Sequence, residues 1–232
     1  MYTALVPFPV KKVCASWVPL PLDQAMDDWR PVKYLDCMVL TSTRIRFFQY
    51  GLSIAAAEEF LTQGLLKNNY TTWIFTLIPF GLFLIVASCL REFLHRRVCG
   101  WIAPLLYYIS MGTVGLAVEW FIIGLTPWSD KTSPLPLIVL FHSGMFSFWG
   151  TVALGPHILL DDRDATVIVR RAFASTLVSW IVCSYILALG ARFTRASDAV
   201  QFLFTVGPVV LTFLSMNGIY AWYFFCCRRQ AP

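Results

Sequence analysis

The stretch WIAPLLYYISMGTVGLAVEWFIIGLTPW, Trp101 to Trp128, most constrains what this chain folds into. It exceeds the ~20 predominantly apolar residues that a helix needs to cross the hydrocarbon core of a bilayer. A tryptophan stands at each end, where an indole favours the membrane–water boundary. Inside it is one ionisable residue, Glu119. A carboxylate at bilayer depth costs ~2.5–3.5 kcal/mol on insertion scales, so the chain must give Glu119 a partner or a use.

Five more apolar runs extend the argument. Spans are expected at 47–66, which holds Glu58 and Glu59, at 72–90, and at 135–160, which holds His142. The last two lie at 172–189 and 200–225, with a kink expected at Gly207–Pro208. Only 13% of the residues are charged, against about 25% in a soluble domain, which excludes an ordinary soluble fold. Residues 1–46 hold five prolines and scattered charges, so they predict a cytoplasmic segment with no signal peptide. Val13–Leu20 within it is apolar enough to lie on a membrane surface. Residues 47–226 then form the transmembrane domain and 227–232 a short tail.

Fourteen Lys and Arg residues fall on one side of these six spans and four on the other. The positive-inside rule therefore predicts cytoplasmic N- and C-termini. The expected fold is an all-α integral membrane protein, a bundle of six transmembrane helices. Its membrane would be the endoplasmic reticulum in a eukaryote or the inner membrane in a bacterium. The basic residues are spread over short loops, so no nucleic-acid partner is expected. Seven scattered cysteines show neither metal-ligand spacing nor an even disulfide set. The Cys226–Cys227 pair reads as a helix end, with S-palmitoylation as the alternative. Asn69-Tyr70-Thr71 is a glycosylation sequon close to the membrane.

With that topology, Glu58, Glu59, Glu119 and His142 all lie roughly 10–13 Å below the outer boundary, at 1.5 Å per residue. Tyr108, Gly112, Gly115 and Glu119 share a helical stripe whose small residues invite a neighbouring helix, turning Glu119 into protein. Ala55, Ala56, Glu59 and Gln63 form a second stripe. Met145, Phe146 and Trp149 set an aromatic wall on the face of His142. Thr205 brings a hydroxyl from the last span.

Three readings fit this layer. Its polar groups serve helix packing alone, or they relay protons or cations along a path. In the third they catalyse. A carboxyl in apolar surroundings holds a proton and donates it to a lipophilic substrate, and a second group removes a proton elsewhere. In that reading Glu119 is the donor and Glu59 or His142 the base. Glu58, Gln63, Tyr108, Met145, Phe146, Trp149 and Thr205 line the substrate pocket. No metal and no cofactor is expected, because only one histidine lies in the layer. Asp161–Asp162–Arg163–Asp164 lacks the DDxxD spacing of a magnesium–diphosphate site and reads as a solvated loop capping the next helix.

Two stretches carry resemblances. AEEFLTQGLL, Ala57–Leu66, resembles the first motif of membrane-embedded CAAX-type proteases, but Gln63 stands near the place of the motif's arginine and the later histidine motifs are absent. NGIYAWYF, Asn217–Phe224, is similar in character to the small membrane terpene cyclases of fungal meroterpenoid pathways. That family is described with seven spans and uses intramembrane acids to protonate its substrates. The resemblance implies a cyclase or isomerase of terpenoid biosynthesis. The function expected is acid–base isomerisation or cyclisation of a lipophilic small molecule. The alternatives are a small proton- or cation-coupled transporter, with homo-oligomers to widen its path, and a non-catalytic subunit of a membrane complex.

Overall fold

The computed structural model describes residues 32–98, 100–124, 126–128, 134–195 and 197–229. The expectations for 1–31, the surface-lying stretch Val13–Leu20 among them, lie outside the described residues. The chain divides into two compact units, Met1–Leu40 and Thr41–Pro232, and the features below belong to the second.

Among the described residues every regular element is helical. Helix α1, Val32–Glu59, continues as a π-helical segment, Phe60–Leu66. Helix α2 is Tyr70–Arg97 and α3 is Ile102–Val118, extended by a π segment at Glu119–Ile123. Helices α4, Leu135–Leu159, α5, Val167–Phe193, and α6, Asp198–Arg229, complete the chain. A 3₁₀ turn, Asp164–Thr166, precedes α5. Among the described residues five segments are long and apolar enough to cross a membrane: Tyr70–His95, Ile102–Ile123, Leu135–Leu159, Asp164–Phe193 and Val200–Arg228.

The first helix is where sequence and structure part. The apolar run begins at Phe47, but the helix begins at Val32, because charged residues end hydrophobicity without ending helical backbone. At the exposed part of α1, Arg44 pairs with Glu92 of α2 at 2.5 Å. Helix α2 opens on Asn69, whose Oδ1 accepts from the Thr72 N–H at 3.0 Å, so the sequon asparagine is a helix cap. Helix α6 runs through Pro208 as one element.

Helix α4 is the centre. It is buried without a break from Ser147 to Ile158, as suits a helix surrounded by its neighbours, with Ser147, Thr151 and His157 among the buried residues. It packs chiefly on α3 and α6, and α5 packs on α6. Glycines set the α3–α4 distance: a Cβ on Gly115 would fall 2.0 Å from Trp149 Cγ, and one on Gly150 2.3 Å from the Tyr108 ring. The outer surface is apolar in turn. Ile74, Phe75, Ile78, Leu82, Ile85 and Val86 are all exposed on α2. Such a surface is compatible with contact to lipid and supports a multi-pass integral membrane protein.

Candidate functional site

Both acidic positions sit where an α-helix widens. The π segment of α3 starts at Glu119, whose carbonyl accepts from the N–H of Gly124, a residue at φ 84° that closes the turn. The first helix turns π directly after Glu58 and Glu59. A π turn shifts later side chains round the helix, and such turns are frequent at functional sites. Neighbouring helices bond the backbone at the first junction. Trp73 Nε1 donates to Ala56 O at 3.0 Å and the Tyr185 hydroxyl to Ala57 O at 3.3 Å. At the far end of this segment Arg192 donates to Leu65 O at 3.2 Å.

The structure brings Glu58, Glu59 and Glu119 within electrostatic reach of one another, with Lys67 the cation that acts on all three. None of the three forms an ion pair among the described residues. Glu119 is buried and its Oε1 accepts from Trp149 Nε1 at 3.1 Å. Trp149 is clamped in turn, stacked on Phe80 at 4.7 Å and edge-on to Phe83 at 4.6 Å. Gln63 and Thr76 are the polar neighbours of the half-buried Glu59. Its Oε2 is buried with no hydrogen-bond partner.

His142 belongs to a different space. Its Nδ1 accepts from Trp120 Nε1 at 3.2 Å, and the imidazole lies in the wall of a cavity of about 520 Å³ between α3, α4 and α6. Leu116, Ile138, Phe146 and Leu214 supply apolar wall, and Ser143, Ser147 and Asn217 supply polar atoms. Leu135 and Val139 on this wall are exposed, so the cavity opens sideways among apolar surface. Among the described residues no carboxyl lines it.

The expected pocket is therefore two places. Glu58, Glu59, Gln63, Glu119 and Trp149 gather in one; His142 and Phe146 meet in the other. Tyr108 stands behind the second, hydrogen-bonded to Asn217 and edge-on to Phe146 of the cavity wall. Thr205 is buried but donates to Gln201 O of its own helix at 2.7 Å, and Met145 is half-buried outside the cavity wall.

Asn217 went unassigned in the sequence. Its Oδ1 accepts from the Tyr108 hydroxyl, and its Nδ2 donates to Ser147 Oγ at 2.9 Å and Leu214 O at 3.1 Å. One turn on, Tyr220 shares a hydrogen bond of 2.5 Å with Thr151. The signal was the Ser143–Ser147–Thr151 spacing on α4, a polar stripe matched by Asn217 and Tyr220 on α6.

At the other end of α4, the acidic run is not simply a solvated cap. Asp162 is exposed, but the Asp161 side chain keeps only 8% of its surface. Asp161 accepts from Arg163 Nε at 2.8 Å and the Tyr223 hydroxyl at 3.0 Å. Arg163 also reaches Cys227 Sγ at 3.3 Å, so the buried Cys227 packs into this clamp. Burial pushes the Asp161 carboxyl up, but hydrogen bonds from Arg163 and Tyr223 outweigh it and hold the group below the usual carboxylate range. Hydrogen bonding to Asp161 raises the Arg163 guanidinium correspondingly.

Among the described residues no group of three or more His, Cys, Asp or Glu is arranged to hold a metal ion. No family model, no curated protein and no solved structure matches the chain.

Proposed function

We propose that the protein is a membrane-embedded enzyme that isomerises or cyclises a lipophilic small molecule by acid–base chemistry. The observation that carries this reading is the sideways-opening cavity of about 520 Å³, within the ~300–1,000 Å³ typical of small-molecule sites. Its wall is mostly apolar with a few converging polar groups, and a hydrophobic substrate enters it from the bilayer. His142 is the group in contact with substrate. Glu119 is the proton donor, its carboxylate takes back the proton that the substrate releases, and Glu59 exchanges protons with Glu119 in the carboxyl cluster. The π turn gives the donor a route to the cavity. Moving the widened turn by one residue rotates side chains ~100° and brings Glu119 toward the place of Trp120, beside His142. The six-span topology with both termini cytoplasmic belongs to the same proposal, and protease protection of tagged termini tests it.

Native mass spectrometry of protein released gently from membranes, followed by chromatography of the extracted molecules, tests the activity. Wild type yields a lipophilic molecule and its isomer. Ser143→Trp, which fills the cavity, yields neither, and Glu119→Gln yields the unconverted molecule alone. Identical isomers from wild type and Glu119→Gln remove Glu119 from the chemistry.

One observation favours a second reading. Lys67 acts on all three carboxyls, as suits a proton relay opening at the Lys67 end. Proton flux in liposomes that is lost in Glu59→Gln, without any bound molecule in the wild type, selects that reading.

A further inference from the structure

We infer that the cavity between α3, α4 and α6 selects lipophilic molecules carrying a hydrogen-bond acceptor, a carbonyl or ether oxygen, which docks on the Nε2–H of His142. This rests on the cavity being the substrate site and names what that site selects. The indole N–H of Trp120 is a donor only, so the His142 Nδ1 that it faces at 3.2 Å must accept. A neutral imidazole accepting at one nitrogen carries its proton on the other. Nε2–H is therefore a donor, and it has no partner among the described residues.

Elsewhere on the wall Ser143 brings a hydroxyl, which can donate or accept, and the amide of Asn217 is already engaged. Asn217 spends both N–H bonds on Ser147 Oγ and Leu214 O, and its carbonyl receives the Tyr108 hydroxyl. A hydrocarbon in the cavity strands the His142 N–H away from water, which costs affinity. A donor-only ligand finds no acceptor on that nitrogen. The same geometry opposes the use of His142 as the base, because its accepting nitrogen is already occupied.

The probes are benzophenone, a lipophilic ketone that crosslinks to C–H bonds on illumination, and diphenylmethane, its near-isostere without oxygen. The full chain is used in lipid nanodiscs. Illumination with benzophenone labels peptides of α3, α4 and α6 that contain Leu116, Phe146 and Leu214. Diphenylmethane competes for that labelling about tenfold more weakly than a non-crosslinking diaryl ether, the scale of one hydrogen bond in an apolar site. In His142→Phe the labelling persists and the two competitors come within about twofold of each other. His142→Gln, which restores an N–H, recovers the preference. Equal competition in the wild type, with the cavity labelled, overturns the acceptor inference alone. Absence of label from the three peptides overturns the substrate cavity, and the inference with it.

Discussion

Asp161 and the Glu58–Glu59–Glu119 group are the two acidic centres of the helical bundle, and they are built on opposite principles. Asp161 stands beyond the end of α4, ringed by a guanidinium, a phenol and the backbone N–H of Arg163. Three elements, the α4–α5 connection, α5 through Arg170 and α6 through Tyr223, are tied together there. Among the described residues the three glutamates form no ion pair: Glu119 accepts from one indole, neutral side chains (Thr62, Gln63 and Thr76) adjoin Glu58 and Glu59, and one Glu59 oxygen is buried without a partner. A carboxyl that serves packing is bonded until its capacity is filled. A carboxyl left short of partners, at a turn where the helix itself is irregular, is available for protons. The difference separates an acid that holds the fold from acids that the fold holds.

Removing each acid is the strongest way to break that comparison. Asp161→Ala removes the carboxylate that pairs with the partly buried Arg163. The expected loss is about 2–3 kcal/mol, below the full cost of a broken buried pair because 44% of the Arg163 side chain stays exposed. Glu119→Gln keeps an oxygen for the Trp149 indole and should cost under about 1 kcal/mol. Unfolding in mixed micelles measures both. If Glu119→Gln destabilises as much as Asp161→Ala, Glu119 is a packing residue and the proposed role goes with it.

Acid pH sharpens the same contrast. Asp161 titrates below the ordinary carboxylate range in the folded protein, so the unfolded chain binds its proton first. Its contribution to stability is therefore complete above the ordinary Asp value of about 4 and is lost as pH falls through the lower, folded value. Melting temperature between pH 6 and pH 3 should fall in wild type and fall less steeply in Asp161→Asn. Parallel curves for the two proteins would show that the clamp does not titrate as its contacts require.

How much of this was legible is itself explained by physics. Spans two to six show in the sequence because lipid demands unbroken apolar surface, and hydropathy reads surface directly. The stripe Tyr108–Gly112–Gly115–Glu119 indicated a close neighbour, and α4 is that neighbour, with Trp149 seated over Gly115. The π turns left no trace, since a pattern at 3.6 residues per turn cannot reveal where the helix departs from it. That departure separates the neighbours Glu119 and Trp120, sending one to Trp149 and the other to His142. Depth along a helix placed His142 level with the carboxyls, but depth says nothing about which side of α3 each group faces. Asp161 was misjudged for a related reason: its partner Tyr223, and Cys227 against the Arg163 that bonds it, lie more than sixty residues away in the chain.

Between these extremes stands the Trp149 indole, the single donor to Glu119 among the described residues. Trp149→Phe removes the N–H and keeps most of the aromatic packing on Phe80 and Phe83. Hydrogen bonds between transmembrane helices are worth ~0.6 kcal/mol on average and ~1.7 at most, so a loss of about 1 kcal/mol is expected. The smallest effect belongs to Thr205→Val. Among the described residues the Thr205 hydroxyl bonds the Gln201 carbonyl of its own helix alone, so its removal should shift stability by under about 0.5 kcal/mol and leave any activity intact. Thr205 was expected in the pocket on the strength of its depth alone. A large loss of activity without unfolding in Thr205→Val would mean that α6 faces the carboxyls after all. It would also reunite the two sites that the π turn of α3 now holds apart.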